Sequence, residues 1–123
     1  MKLRVALAQI NPTVGDLAGN SAAILRWSHE AAVHAEGAHI IVFPEMVLTG
    51  YPIEDLAIRA SFQSATKRAL DELVAHLPEN IVALIGYLDT DSNGKPENAV
   101  AVVHGGQIKA RYIKNTLPNY GVF

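Results

Sequence analysis

The 123-residue sequence contains no cysteine. Disulfides, thiolate metal sites and a cysteine nucleophile are thereby excluded within these residues. A dominant charge is missing too: ten Lys and Arg against twelve Asp and Glu leave a formal net charge of −2. No basic field marks a partner as nucleic acid or an anionic membrane. The longest apolar run falls far short of the about 18 residues that a spanning helix needs. Met1-Lys2-Leu3-Arg4 carries two early cations, but the apolar stretch after it holds Gln9 and Asn11 and runs into a turn. No signal peptide is read there, and the cytoplasm is the expected compartment. What remains is globular composition, 50% hydrophobic and 18% charged, sufficient for one domain or a piece of one.

The order of elements follows from periodicity. Lys2 to Ile10 alternates, with Leu3, Val5 and Leu7 opposite Arg4, Ala6 and Ala8, and predicts a first strand. Asn11 to Asp16 is a loop by its Pro, Gly and Asn content. Asn20 is a candidate cap for a helix to about Glu36, with Gly37 as its stop and Ile24, Trp27 and Ala31 on one stripe. Ala38 to Phe43 is a second strand. Ile53, Leu56, Ala60, Leu70, Leu73 and Leu77 sketch a second amphipathic helix ending before Pro78. Ile81 to Leu88, Asn98 to Val103 and Gln107 to Lys114 complete the strands, the last two joined by a tight turn at Gly105-Gly106. Strand, helix, strand, helix and three further strands make an α/β layer with an antiparallel extension.

Chemistry is suggested at two positions. Glu45 follows a short buried strand that Pro44 terminates, and Gly50-Tyr51-Pro52 turns the chain beyond it. The carboxyl end of an internal strand is where open α/β sheets hold ligands. In the last strand Lys114 shares the parity of Ile108, Ala110 and Tyr112, the apolar positions, while Lys109 and Arg111 stay near water. A lysine on a buried face requires an anion, and Glu45 is the leading candidate. Taken alone, Glu45 is equally a solvated loop acceptor, Lys114 a surface lysine, and Tyr51 and Tyr120 half-buried loop aromatics. No metal site is expected: His29, His34 and His39 are spaced by five rather than four. Asp89 to Gly94 imitates half a calcium loop, but its twelfth position is Val100, not glutamate, so a hydrated hairpin loop is expected.

Four segments together carry a family resemblance. They are Ala8 to Asp16 with Asn20; Phe43-Pro44-Glu45 through Thr49-Gly50-Tyr51-Pro52 to Leu56; Asn98-Ala99; and Lys114 with Leu117-Pro118-Asn119-Tyr120-Gly121-Val122-Phe123. The chain resembles the carbon–nitrogen hydrolase (nitrilase) superfamily along its whole length. Within it, the opening segment and the ending look closest to the amino-terminal glutamine amidohydrolase domains of glutamine-dependent NAD synthetases. The resemblance implies a four-layer αββα sandwich, present here as its amino-terminal part, and a Glu–Lys–Cys triad. By matching positions Glu45 would be the general base and Lys114 the cationic member. Tyr51, Tyr120 and Phe123 would line the glutamine pocket. The family's nucleophilic cysteine would come after Phe123, so residues 1–123 are expected to be an inactive portion of a larger enzyme. This portion would need no cofactor; ATP and Mg would serve a synthetase domain elsewhere in the parent. Glutamine, the rest of the amidase domain, the synthetase domain and further copies of the chain are the implied partners. Another amide, carbamoyl compound or nitrile as substrate stays open, as does a non-catalytic interaction module.

Overall fold

A computed structural model describes residues 2–34 and 36–114. Five strands form one sheet in sequential order: β1 (Val5–Leu7), β2 (Ile40–Val42), β3 (Val82–Thr90), β4 (Pro96–His104) and β5 (Gln107–Ile113). The first three are parallel and the last two antiparallel, the mixed sheet expected from the pattern. Helices α1 (Leu17–Val33) and α2 (Ala60–His76) form the two parallel crossovers. Both cover the same face, where Ile24, Leu70 and Leu73 meet Ile41, Ala83 and Ile85 in one core. Sequential crossovers of one hand necessarily place both helices on one side. Among the described residues, no helix is long and apolar enough to cross a membrane.

Register separates the two faces. Ala6, Ile41, Ala83, Val103 and Ile108 form a row against the helices. Leu7, Val42, Leu84, Val102 and Ala110 form the neighbouring row on the opposite face. Towards β1 and along β5 that second face is uncovered among the described residues: Leu3 and Leu7 are each 68% exposed and Tyr112 is 66% exposed. At its Gly86–Leu88 end residues 44–57 lie over it, and Leu88 is buried against Met46, Ile53 and Ala57. The described residues make one helix layer and one sheet; in the αββα sandwich that the resemblance implies, a second sheet would lie against the open face.

Several local expectations need correction. Asp16, not Asn20, caps α1, its carboxylate accepting from the Gly19 amide at 2.9 Å. Asn20 lies inside the helix and is buried. Its side chain accepts from the Thr13 amide at 2.9 Å and donates to the Thr13 and Leu48 carbonyls at 2.8 and 3.0 Å. The residue therefore ties the first loop to the segment after Glu45. α1 also ends at Val33 rather than Glu36, because His34 turns to extended backbone while its amide closes the last turn on Glu30. The second helix is two: a 3-10 turn over Glu54–Ile58, then α2, separated by extended Arg59. Ile53 and Ala57 leave the helical stripe to pack with Met46 and Leu88 in a satellite cluster.

The last strand holds the remaining correction. A β-bulge between Val102 and Val103 places Ile108 on the helix side and Ala110 on the open side, so the even positions do not share one face throughout. From Ala110 onward Tyr112 and Lys114 do share one face, but it is the open face rather than the buried one. Tyr112 is 66% exposed, while Arg111 lies on the helix side opposite Ala101 and pairs with Asp89. The β4–β5 connection is the tight Gly105-Gly106 turn, both residues with positive φ, as a two-residue hairpin requires. Asp89 to Gly94 is indeed part of a hairpin. Asp89 accepts from the Tyr87 hydroxyl at 2.8 Å, and Asp91 accepts from the Asn93 and Lys95 amides at 2.8 and 2.9 Å.

Asn20→Ala leaves the Thr13 amide and two carbonyls without their partner. Removing partners of buried polar groups costs about 1–3 kcal/mol per group left unsatisfied. Chemical denaturation is expected to show a loss of about 2–4 kcal/mol.

Candidate active site

The segment after β2 positions Glu45 by backbone contact. Phe43 continues the ladder for one residue, its amide donating to Leu84 at 3.2 Å, before Pro44 leaves the sheet. The chain then turns directly over Gly86 in β3. A Cβ at that position would stand 2.5 Å from the Met46 nitrogen and 2.9 Å from the Pro44 oxygen. Glycine in a strand interior marks such close approach of a second backbone. The turn needs Met46 at φ +55, a left-handed conformation costing roughly 1–2 kcal/mol for a residue with a Cβ. Full burial of the Met46 side chain and the Leu48 amide bond to the Gly86 carbonyl at 3.1 Å offset it.

Three side chains converge above this seat. Lys114 donates its Nζ to Glu45 Oε1 at 2.8 Å, and Asn98 donates its Nδ2 to the same oxygen at 2.7 Å. Sixty-nine and fifty-three residues separate the partners in sequence. Lys114 is fixed by its own backbone amide, which bonds the Asn98 carbonyl at 2.9 Å and extends the β4–β5 pairing. Glu45 and Lys114 are both half-exposed, whereas Asn98 is buried. The Lys114 hydrogen bond holds the Glu45 carboxyl below its usual value of 4.5; partial burial opposes this, and the Asn98 bond and the lysine's charge reinforce it. The carboxylate is thus kept ionised and oriented, as an acceptor of a proton must be when resting.

The group stands at one end of an open concavity of about 370 Å³ on the uncovered face, walled by Val42, Leu84, Val100 and Tyr112. A larger groove of about 560 Å³ runs between α1 and α2, lined by Ala18, Ala22 and Ala69 together with Arg68, Glu72 and His76. Glu45 and Lys114 are therefore together, as parity implied. Tyr51 is half-exposed and does not line the concavity, so the structure does not bring it to the pair. Tyr120 and Phe123 lie outside the described residues.

Sequence reasoning missed Asn98, Gly86 and Tyr112 as members of the site. Each left a signal. Asn98 shares the parity of Val100 and Val102, the open-face positions of β4. Gly86 interrupts an otherwise apolar strand, and Tyr112 shares the face of Lys114.

Comparison with known proteins identifies the family. The carbon-nitrogen hydrolase family profile matches residues 4–122. The chain belongs to the carbon-nitrogen hydrolase family. It is 44% identical over 125 residues to the glutamine-dependent NAD(+) synthetase of Thermotoga maritima, covering 99% of this chain and 21% of that protein. Identity to the corresponding synthetase of Aquifex aeolicus is 40% over 124 residues, covering 98% of this chain and 21% of the relative. The solved glutamine-dependent NAD+ synthetase of Acinetobacter baumannii superposes with a TM-score of 0.83 at 32% identity, over 98% of this chain and 22% of that one. The chain thus spans about a fifth of the length of these relatives. Its fold is the amino-terminal part of the nitrilase fold.

Two expectations follow from the site. Because the Glu45 pKa is lower in the folded state, its contribution to stability is complete above 4.5 and is lost as pH falls through the folded value. Denaturation midpoints of the wild type and Glu45→Gln should converge in acid and separate as pH rises. Gly86→Ala drives a methyl into the Met46 backbone. Chemical denaturation should show a loss of about 1–3 kcal/mol, the usual cost of overpacking.

Proposed function

We propose that these residues supply the base and the cation of a glutamine amidohydrolase within a glutamine-dependent NAD synthetase. The single observation that carries this reading is the Lys114–Glu45–Asn98 cluster on a chain resembling such synthetases over almost its whole length. Amide hydrolysis through a thiol needs a base for the sulfur proton and a fixed positive donor for the oxyanion of the tetrahedral intermediate. Glu45 is the base, and Lys114 is the cation that both holds Glu45 and meets the oxyanion. The thiol comes from polypeptide outside the 123 residues, which hold no cysteine. Tyr51, Tyr120 and Phe123 line the glutamine pocket.

The ammonia released passes to a synthetase domain of the parent, which uses ATP and Mg to amidate a nicotinate dinucleotide. The 123 residues themselves bind no cofactor. The cytoplasm is the compartment proposed for it. The apolar open face supports association, with the rest of the amidase domain in the parent and between copies of the isolated chain. The β1 edge adds unpaired backbone groups to that tendency.

Purified residues 1–123 should release no glutamate from glutamine. The chain extended through its downstream coding region should release it; clear turnover by the 123 residues alone would refute the assignment of the nucleophile. Sedimentation of the isolated chain should show species above its 13.2 kDa mass at micromolar concentration. A concentration-independent monomer contradicts association through the open face.

A further inference from the structure

The two donors on Glu45 are not distributed over its two oxygens. Asn98 Nδ2 and Lys114 Nζ both bond Oε1, at 2.7 and 2.8 Å. Oε2 bonds no described residue. Asn98 is buried on β4 and its carbonyl accepts the Lys114 amide, so one residue sets the positions of both the carboxylate and the lysine. A buried primary amide is suited to this task because it donates without titrating and cannot exchange roles with the lysine.

We propose that Asn98 is a positioning residue that, with Lys114, anchors Glu45 through Oε1 and leaves Oε2 as the oxygen that takes and returns the proton. The inference rests on the reading of Glu45 as the base. In the reaction the thiol proton passes to Oε2, and the donors on Oε1 stay in place throughout. Protonation on Oε1 would instead occupy one of the two lone pairs that the donors use and displace an anchoring bond at each turnover. The Asn98 bond to the charged form also contributes to holding the carboxyl below its usual value. Lys114 is the charged group that reaches Glu45 from β5, and Tyr112 is the other titratable residue lining the concavity. Neither offers a second anchor to Oε2.

The test follows the Asn98 side-chain amide and the Glu45 carboxyl by NMR through an acid titration of the 123-residue chain. Glu45→Gln identifies the carboxyl signal by its loss. The expected result is that the Asn98 amide protons keep their hydrogen-bonded shifts below the Glu45 midpoint, because the proton settles on Oε2. Loss of the bonded shift in step with the Glu45 titration overturns the assignment. Asn98→Leu should raise the Glu45 midpoint by about half a pH unit or more, since a donor to the charged form is gone. Asn98→Asp, which keeps the shape and replaces the donor by a carboxyl, should raise it further. A midpoint unchanged in a folded variant contradicts the positioning role. The wild-type arm needs no variant to fold. These readouts involve no substrate, so their failure is distinct from a failure of the glutaminase reading.

Discussion

The close approach of two backbones at Gly86 is the constraint on which the site depends. The segment after β2 lies across β3 there with no room for a Cβ, and Met46 accepts a left-handed conformation to let it do so. Glu45 is the residue at that crossing. Its side chain stands over the open face because the turn is seated, not because the side chain found a partner. Asn20 holds the same segment from behind through the Leu48 carbonyl. The carboxylate is thereby presented to β4 and β5 with little freedom to withdraw. Such prior ordering is what makes a fixed base effective.

The antiparallel extension then completes the cluster. β4 brings Asn98 and β5 brings Lys114, and the backbone bond between these two residues links their positions. The pair is half-exposed, so its value lies in orientation and protonation state more than in stability; exposed ion pairs contribute little to folding. The apolar walls of the concavity supply the setting in which, once covered, the same charges act more strongly. Fold and chemistry share one surface: the face the helices leave open carries both the hydrophobic row and the ionic cluster.

Much of this was legible in the sequence, for reasons that can be located. Alternation gave the strands, and the Pro44 stop gave Glu45 its place at a strand end. Parity in the last strand gave Lys114 its side of the sheet, although the bulge before Ala110 means that Ile108 was never part of that face. A bulge depends on sheet twist and on how β4 and β5 pack, which periodicity within one strand does not record. Asn20 has the residue type of a cap, but Asp16, four residues earlier, already fills that place. The break at Arg59 arose because Ile53 and Ala57 serve the cluster around Met46 and Leu88, a tertiary demand that overrides helical spacing. Tyr51 entered through family resemblance alone, and among the described residues it does not line the concavity.

The central claim is that Glu45 is the proton acceptor in amide hydrolysis. The most direct measurement is the rate of glutamine hydrolysis by the parent polypeptide, encoded through its downstream region, with Glu45 and with its near-isosteric replacement Glu45→Gln. The account predicts a fall in kcat of about 10²- to 10⁴-fold, the usual contribution of a general base, in a variant that remains folded. Hydrolysis at the wild-type rate in the folded variant would contradict it.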